Sequence, residues 1–323
     1  MSTSNNRHTQ LGVLSLADEA KSTIQTAKRD GVKNPSADRS DPNSNLNKRK
    51  ERFLEDASDT TTGVRQAKKE SPWTKYEEVF SVELGGPIKV AIQKAPTIKL
   101  VSVRVFPAPA AEKALHMFRR VQHRNIVAAL DAFTTDDGFY IVLEHMPVPL
   151  EWIVRSPADP NEQQLAAILG QILDGVAYLA AQGLEHGALC CSDILLNTDG
   201  DVKIGKSILQ FSYHELTHLA NPNSCNLKAE GSVRDLRALS SITMELMQKY
   251  TKEDGAVGID DLHRWHSNSD AVGFLSATTS VGSAAELRKH PLLSHPLRKE
   301  SLIGIISLAQ VCTRGRYKYS PQV

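Results

Sequence analysis

Apolar positions are sparse over the first seventy residues; beyond them they recur at spacings that predict strands first and helices afterwards. Leu11 to Ala27 shows only a faint helical period. From residue 76, Lys89 to Gln93 and Ile98 to Val105 are β-rich, with a turn around Pro96. Ala111, Ala114, Leu115 and Phe118 then share one helical face within Ala110 to Val121. Ile126 to Leu130 and Phe139 to Leu143 flank Asp136-Asp137-Gly138, which predicts another strand pair. After Pro147 the period becomes helical. Asn161 is a candidate N-cap with Gln164 at the capping-box position, and Gly183 closes the helix. Its apolar face runs through Leu165, Ile168, Leu169, Ile172, Val176 and Leu179. Ile194 to Leu196 and Val202 to Ile204 flank Asp199-Gly200, predicting a hairpin whose two central residues take positive φ. Ser232 starts a further helix with Val233, Leu236, Leu239, Ile242 and Leu246 inward.

Composition sharpens the division. Of the chain's aromatic residues only Phe53 lies in the first seventy. Such a segment buries too little apolar surface to offset backbone ordering, so residues 1–72 read as a disordered tail. Lys48-Arg49-Lys50-Glu51-Arg52, with Arg65, Lys68 and Lys69, forms two basic clusters of the kind that serve in nuclear import. Over the whole chain of 323 residues, 38 basic and 37 acidic side chains leave a charge of +1. Nucleic acid is therefore not an expected partner. The most apolar run, Leu302 to Cys312, falls short of a membrane span, and Met1 to Gln10 has no signal-peptide core, so no membrane partner is expected either. Cys190, Cys191, Cys225 and Cys312 form no C-x-x-C pair. The expectation is an intracellular protein, cytoplasmic or nuclear.

Several short motifs recur in one order. Val101-Ser102-Val103-Arg104 resembles the V-A-I-K strand of protein kinases, and His123-Arg124-Asn125-Ile126-Val127 the H-x-N-I-V segment after the regulatory helix. Tyr140 to Met146 looks like the last strand and hinge between the lobes. His186-Gly187-Ala188-Leu189 with Ser192-Asp193 matches the spacing of H-R-D-L-x-x-x-N. Asp235 falls where the family keeps a structural aspartate, and Ala284 to Leu293 is similar to the segment that ends many kinase domains. The resemblance covers about residues 76–293. It implies an α+β, bilobal protein-kinase-like fold over 73–317, with an N-lobe at 76–146, a C-lobe at 147–317 and a C-terminal tail at 318–323.

Departures from the family pattern bear on activity. Phosphoryl transfer needs positioned positive charge, metal ions and a base. Where the glycine-rich loop belongs, the chain offers Gly85-Gly86 and then Pro87, which has no amide hydrogen. The resemblance puts Arg104 at the phosphate-binding lysine, Ala114 at its glutamate partner and Gly187 at the phosphate-sensing arginine. It puts Ala188 at the catalytic base, Asp193 at the metal-binding asparagine and Lys206 at the D-F-G aspartate. Arg104, Lys206, Glu144 and Met146 would line a vestigial nucleotide cleft, with Asp193 the one remaining metal ligand.

This pattern is that of a pseudokinase, a serine/threonine-kinase relative without catalytic residues that serves as a scaffold or allosteric regulator. Its expected partners are other proteins, an active kinase or its substrate among them. No cofactor is required; ATP, if bound, binds weakly and without magnesium. The alternative is a weakly active kinase using Asp193, Arg104 and Lys206. A remote alternative is a zinc metalloprotease, because His214-Glu215-Leu216-Thr217-His218 matches H-E-x-x-H, with Glu230 or Asp235 as third ligand. Adjacent Cys190 and Cys191 read as packing residues rather than a reactive thiol pair.

Overall fold

The computed structural model describes residues 64, 66–83, 87–94, 98–205, 212–213, 227–294, 296, 298–313 and 320–321. All of them lie in the unit Asp59–Val323. The N-terminal part carries strands β1 (Tyr76–Glu83), β2 (Pro87–Gln93) and β3 (Leu100–Phe106), helix α1 (Ala111–Arg120), and strands β4 (Ala129–Thr135) and β5 (Gly138–Glu144). Next come β6 (Val148–Pro149), α2 (Leu150–Arg155), α3 (Glu162–Ala181), β7 (Leu184–Glu185), β8 (Ile194–Leu196), β9 (Val202–Ile204) and β10 (Ser212–Tyr213). The remainder is α4 (Leu227–Gln248), α5 (Asp270–Ser280), α6 (Ala284–Leu287), α7 (Ile303–Thr313) and β11 (Ser320–Pro321). An antiparallel sheet ordered β11-β1-β2-β3-β5-β4 forms one lobe, and the helices with two small sheets form the other. This is the expected α+β, bilobal fold.

Strand β3 shows how the sheet is sided. Val101 and Val103 pack with Tyr76, Ala91, Phe133 and Val142 on the outer face. Phe106 belongs to the main core, with Met117 and Phe118 of α1. The two-residue alternation of a strand therefore puts Ser102 and Arg104 on the face that carries α1. Helix α3 begins at the expected capping box, with Asn161 and Gln164 satisfying each other's backbone N–H groups. Its whole expected face is buried, and so are Ala166, Ala167, Leu173 and Gly175 on other sides. This helix is long and apolar enough to cross a membrane, unlike the run at 302–312 singled out from sequence. Here 61% of that stretch is buried inside the protein, as befits a core helix.

Five expectations are corrected. Composition put residues up to 72 in the tail, yet Val64 is buried in the main core and Lys68 N donates to the Ala132 carbonyl at 2.9 Å. The first sixty-three residues lie outside the described set. The strand expected at Ile126 to Leu130 begins at Ala129, because the backbone of 125–127 bonds to β9 instead. Strand β1 was not foreseen, and β11 pairs with it (Phe80↔Pro321, Ser81↔Ser320), so the C-terminal tail is partly sheet. Helix α4 starts at Leu227, before Ser232. The β8–β9 hairpin forms, but only Gly200 of Asp199-Gly200 has positive φ (84°). The Asn197 side chain accepts from the N–H groups of Asp199 and Asp201 and shapes a longer turn.

Gly200 is also a close approach, since a Cβ there would sit 2.1 Å from the Lys299 carbonyl oxygen. Gly183 has a similar φ of 68°, but nothing lies within 4 Å of its would-be Cβ. Gly183→Ala should lose only the left-handed term, about 1–2 kcal/mol. Gly200→Ala should lose clearly more, because backbone must also move. Urea denaturation with unchanged slope would measure both; equal losses would show that the Lys299 contact is absent.

Candidate functional site

The site is built where the two lobes meet. Residues 125–127 of the loop after α1 run along β9: Ile204 N donates to the Asn125 carbonyl at 2.8 Å, and Val127 N to the Ile204 carbonyl at 3.0 Å. The buried Asn125 amide donates to the Val202 carbonyl at 3.0 Å. Gly175 of α3 makes room, for a Cβ there would meet Ile204 at 2.9 Å and the Asn125 carbonyl at 3.0 Å. His123 stacks on Tyr178, ring centroids 4.8 Å apart. The Tyr178 hydroxyl in turn accepts from Gln122 N and donates to the Arg120 carbonyl.

Glu144 ends β5. Its Oε1 accepts from Ala128 N at 2.7 Å and from Lys203 Nζ of β9 at 2.6 Å. The side chain expected to line a nucleotide cleft is thus committed to a bridge between lobes. His145 follows, and its Nδ1 lies 3.0 Å from Ser102 Oγ of β3. Burial disfavours the charged ring and so lowers the His145 pKa. Met146 is buried. Arg104 sits on β3 opposite Ile141 of β5. Ala114 is buried in the apolar core beneath the sheet, while Glu112 on the same helix is exposed.

The segment 186–193, expected to be the catalytic loop, is held from α4. Asp235, buried, accepts from His186 N at 2.8 Å through Oδ2 and from Gly187 N at 2.9 Å through Oδ1. Burial raises its pKa; the two N–H groups and His186 oppose that rise. Gly187 has φ 79°, and Ala188 next to it is exposed. Asp193 is buried, and its Oδ2 accepts from Cys190 N at 3.1 Å and from the Cys190 thiol at 2.9 Å. Its carbonyl accepts from Gly205 N at 2.7 Å, tying the loop to the end of β9.

Residues 92–206 match the protein kinase domain family. This chain carries a protein-kinase-like domain. It is 31% identical over 111 residues to cyclin-dependent kinase 12 of Caenorhabditis elegans, covering 31% of this chain and 15% of that protein. It is 34% identical over 110 residues to cyclin-dependent kinase 12 of Drosophila melanogaster, covering 31% of this chain and 9% of that protein. With the mitogen-activated protein kinase sma-5 of C. elegans it shares 32% over 129 residues, 38% of this chain and 25% of that protein. The matched stretches thus span a quarter or less of these relatives. The match ends at Lys206, which with Gly85, Gly86 and His214 to His218 lies outside the described residues.

Within the kinase-like domain, no group of three His, Cys, Asp or Glu residues fit to hold a metal occurs among the described residues. Asp235, considered as a third zinc ligand, is instead committed to backbone amides. Cys191 is buried, and burial followed by the charge of Glu245 pushes its thiol well above the ordinary value. Cys190 is exposed, and its pKa is also raised, by partial burial and then by Asp193. Neither thiol is activated. The Glu144–Lys203 and Ser102–His145 pairs were invisible in sequence, since each joins residues forty or more positions apart.

Removing the Asp235 carboxylate strands two amides. Asp235→Ala should destabilise the domain by roughly 2–5 kcal/mol, because unsatisfied buried donors cost about 1–3 kcal/mol each. A loss below 1 kcal/mol in urea denaturation would refute that role. For His145 the folded pKa lies below the unfolded value of 6.5. Below that value the unfolded chain takes up a proton that the folded ring refuses, so stability falls as pH drops. His123 and His290 shift in the same direction. His145→Gln should therefore make the decline below pH 6.5 shallower without abolishing it; an unchanged slope would show a freely titrating ring.

Proposed function

We propose that the kinase-like domain acts by binding other proteins, as a scaffold or allosteric regulator, rather than by transferring phosphoryl groups. One observation carries this reading: Asp235 holds the catalytic-loop backbone at His186 and Gly187, yet the adjoining base position presents the methyl of Ala188. A methyl group neither accepts nor orients a hydroxyl proton. The apolar burial of Ala114 supports the same reading, since no carboxylate stands there to organise a phosphate-binding cation. Asp193, the one metal-ligand candidate, spends Oδ2 on Cys190.

On this reading ATP binds weakly or not at all, and without magnesium, with Arg104 and Lys206 as its phosphate partners. The binding partner is an active kinase or a kinase substrate, met in the cytoplasm or, through the Lys48–Arg52 cluster, in the nucleus. Asp193, still an oxygen ligand, and Arg104 and Lys206, still cations, favour the competing reading, a weakly active kinase.

Two measurements separate the readings. Calorimetry at matched ionic strength should find no tight ATP binding that requires magnesium, and a strict magnesium requirement would reopen the active-kinase reading. Ala188→Asp alone should leave phosphoryl transfer at background, because catalytic groups that act as a unit are grossly non-additive. Robust transfer by that single variant would overturn the assignment of the remaining positions.

A further inference from the structure

A cavity lies among residues other than those expected to line a nucleotide cleft. Its volume is about 660 Å³, and its walls come from the loop after α1, α3, the β8–β9 turn and the segment after α6. Cations from separate parts of the sequence meet there: Arg124, Arg288 and Lys299. Asp174 of α3 bridges the first two, with Oδ2 2.8 Å from Arg124 Nη2 and Oδ1 2.8 Å from Arg288 Nε. Asp201 lies 2.6 Å from Lys299 Nζ. Three cations thus face two carboxylates, and the cavity keeps an excess positive charge.

The donors are not exhausted by these pairs. Arg124 spends Nε on Asn125 Oδ1 and Nη2 on Asp174, which leaves Nη1 without a partner among the described residues. Arg288 spends Nε on Asp174 and Nη1 on the Leu293 carbonyl, which leaves Nη2 likewise. Because one carboxylate clamps both guanidinium groups, they are pre-oriented, and ordering them adds little cost to binding. Guanidinium forks match the tetrahedral oxygens of phosphate, and Lys299 adds a point charge. Pro296 and Leu293 supply an apolar wall beside these donors.

We propose that this cavity binds a phosphomonoester, held by Arg124, Arg288 and Lys299 and carried either by a phosphorylated protein side chain or by a free small phosphate. The site does not use the nucleotide cleft, and it stands whether or not the domain transfers phosphoryl groups.

The full chain should be titrated by calorimetry at constant ionic strength with inorganic phosphate, acetate, and a phosphoserine pentapeptide flanked by alanines with its unphosphorylated form. Phosphate and the phosphopeptide should bind, acetate and the plain peptide at least tenfold more weakly. Arg124→Gln should reduce phosphate affinity about tenfold; the side chain is 77% exposed, so the fold should tolerate the change. Lys299→Gln should reduce it as well, and thermal melts without ligand would confirm that both variants fold. Phosphopeptide affinity tenfold above that of free phosphate assigns the natural ligand to a protein side chain, and equal affinities assign it to a small phosphate. Acetate binding as well as phosphate, no phosphate binding, or affinity unchanged within twofold when Arg124→Gln and Lys299→Gln are combined would each overturn the proposal.

Discussion

The structure depends on the docking of residues 125–127 against β9. In an isolated N-lobe these backbone groups would need water or a strand partner; here Ile204 supplies both the donor and the acceptor. The side chain of Asn125 adds a buried bond to Val202, and Gln171 of α3 accepts from Val202 N at 3.0 Å. The hairpin of the C-lobe is therefore satisfied on one side by an N-lobe loop. Neither lobe can move far at this point without stranding buried amides, each costing about 1–3 kcal/mol. Gly175 permits the approach by offering no Cβ.

The other polar contacts between the lobes extend this seam. Glu144 reaches Lys203 one residue from Ile204, and the same carboxylate caps Ala128 N one residue past Val127. Arg124 meets Asp174, and Asp174 meets Arg288 from the far end of the domain. The C-terminal segment is tied in again through Lys299 and Asp201. Hence the loop after α1, the β8–β9 hairpin and the chain after α6 form one continuous polar network over the face of α3. Exposed pairs of this kind contribute little singly, and their worth lies in fixing geometry across several elements.

Much of this frame was legible in sequence because it rests on local signals. The capping box at Asn161 and Gln164, the apolar face of α3 and the hairpin at Gly200 each lie within a few residues. Asp235 was legible only through its spacing from other motifs, and its role appears in bonds to amides 48 and 49 positions away. Two misplacements share one cause. The strand set at Ile126 rests on local pattern and the tail carried past Val64 on local composition, whereas each segment bonds to a distant strand. Strand β1 was missed because Glu77 and Glu78 break the apolar alternation, although Glu78 is paired with Lys89 across the sheet.

The frame also holds the 186–188 segment through its backbone rather than its side chains. Asp235 grips the N–H groups of residues 186 and 187, and an N–H is present whatever side chain follows. The side chain at 188 takes no part in that grip, and Ala188 is exposed, so packing does not fix which residue stands there. Position 187 goes further. Its φ of 79° lies in the left-handed region, where any residue with a Cβ pays roughly 1–2 kcal/mol. Glycine removes the strain. A side chain placed at 187 would therefore be opposed by the backbone itself.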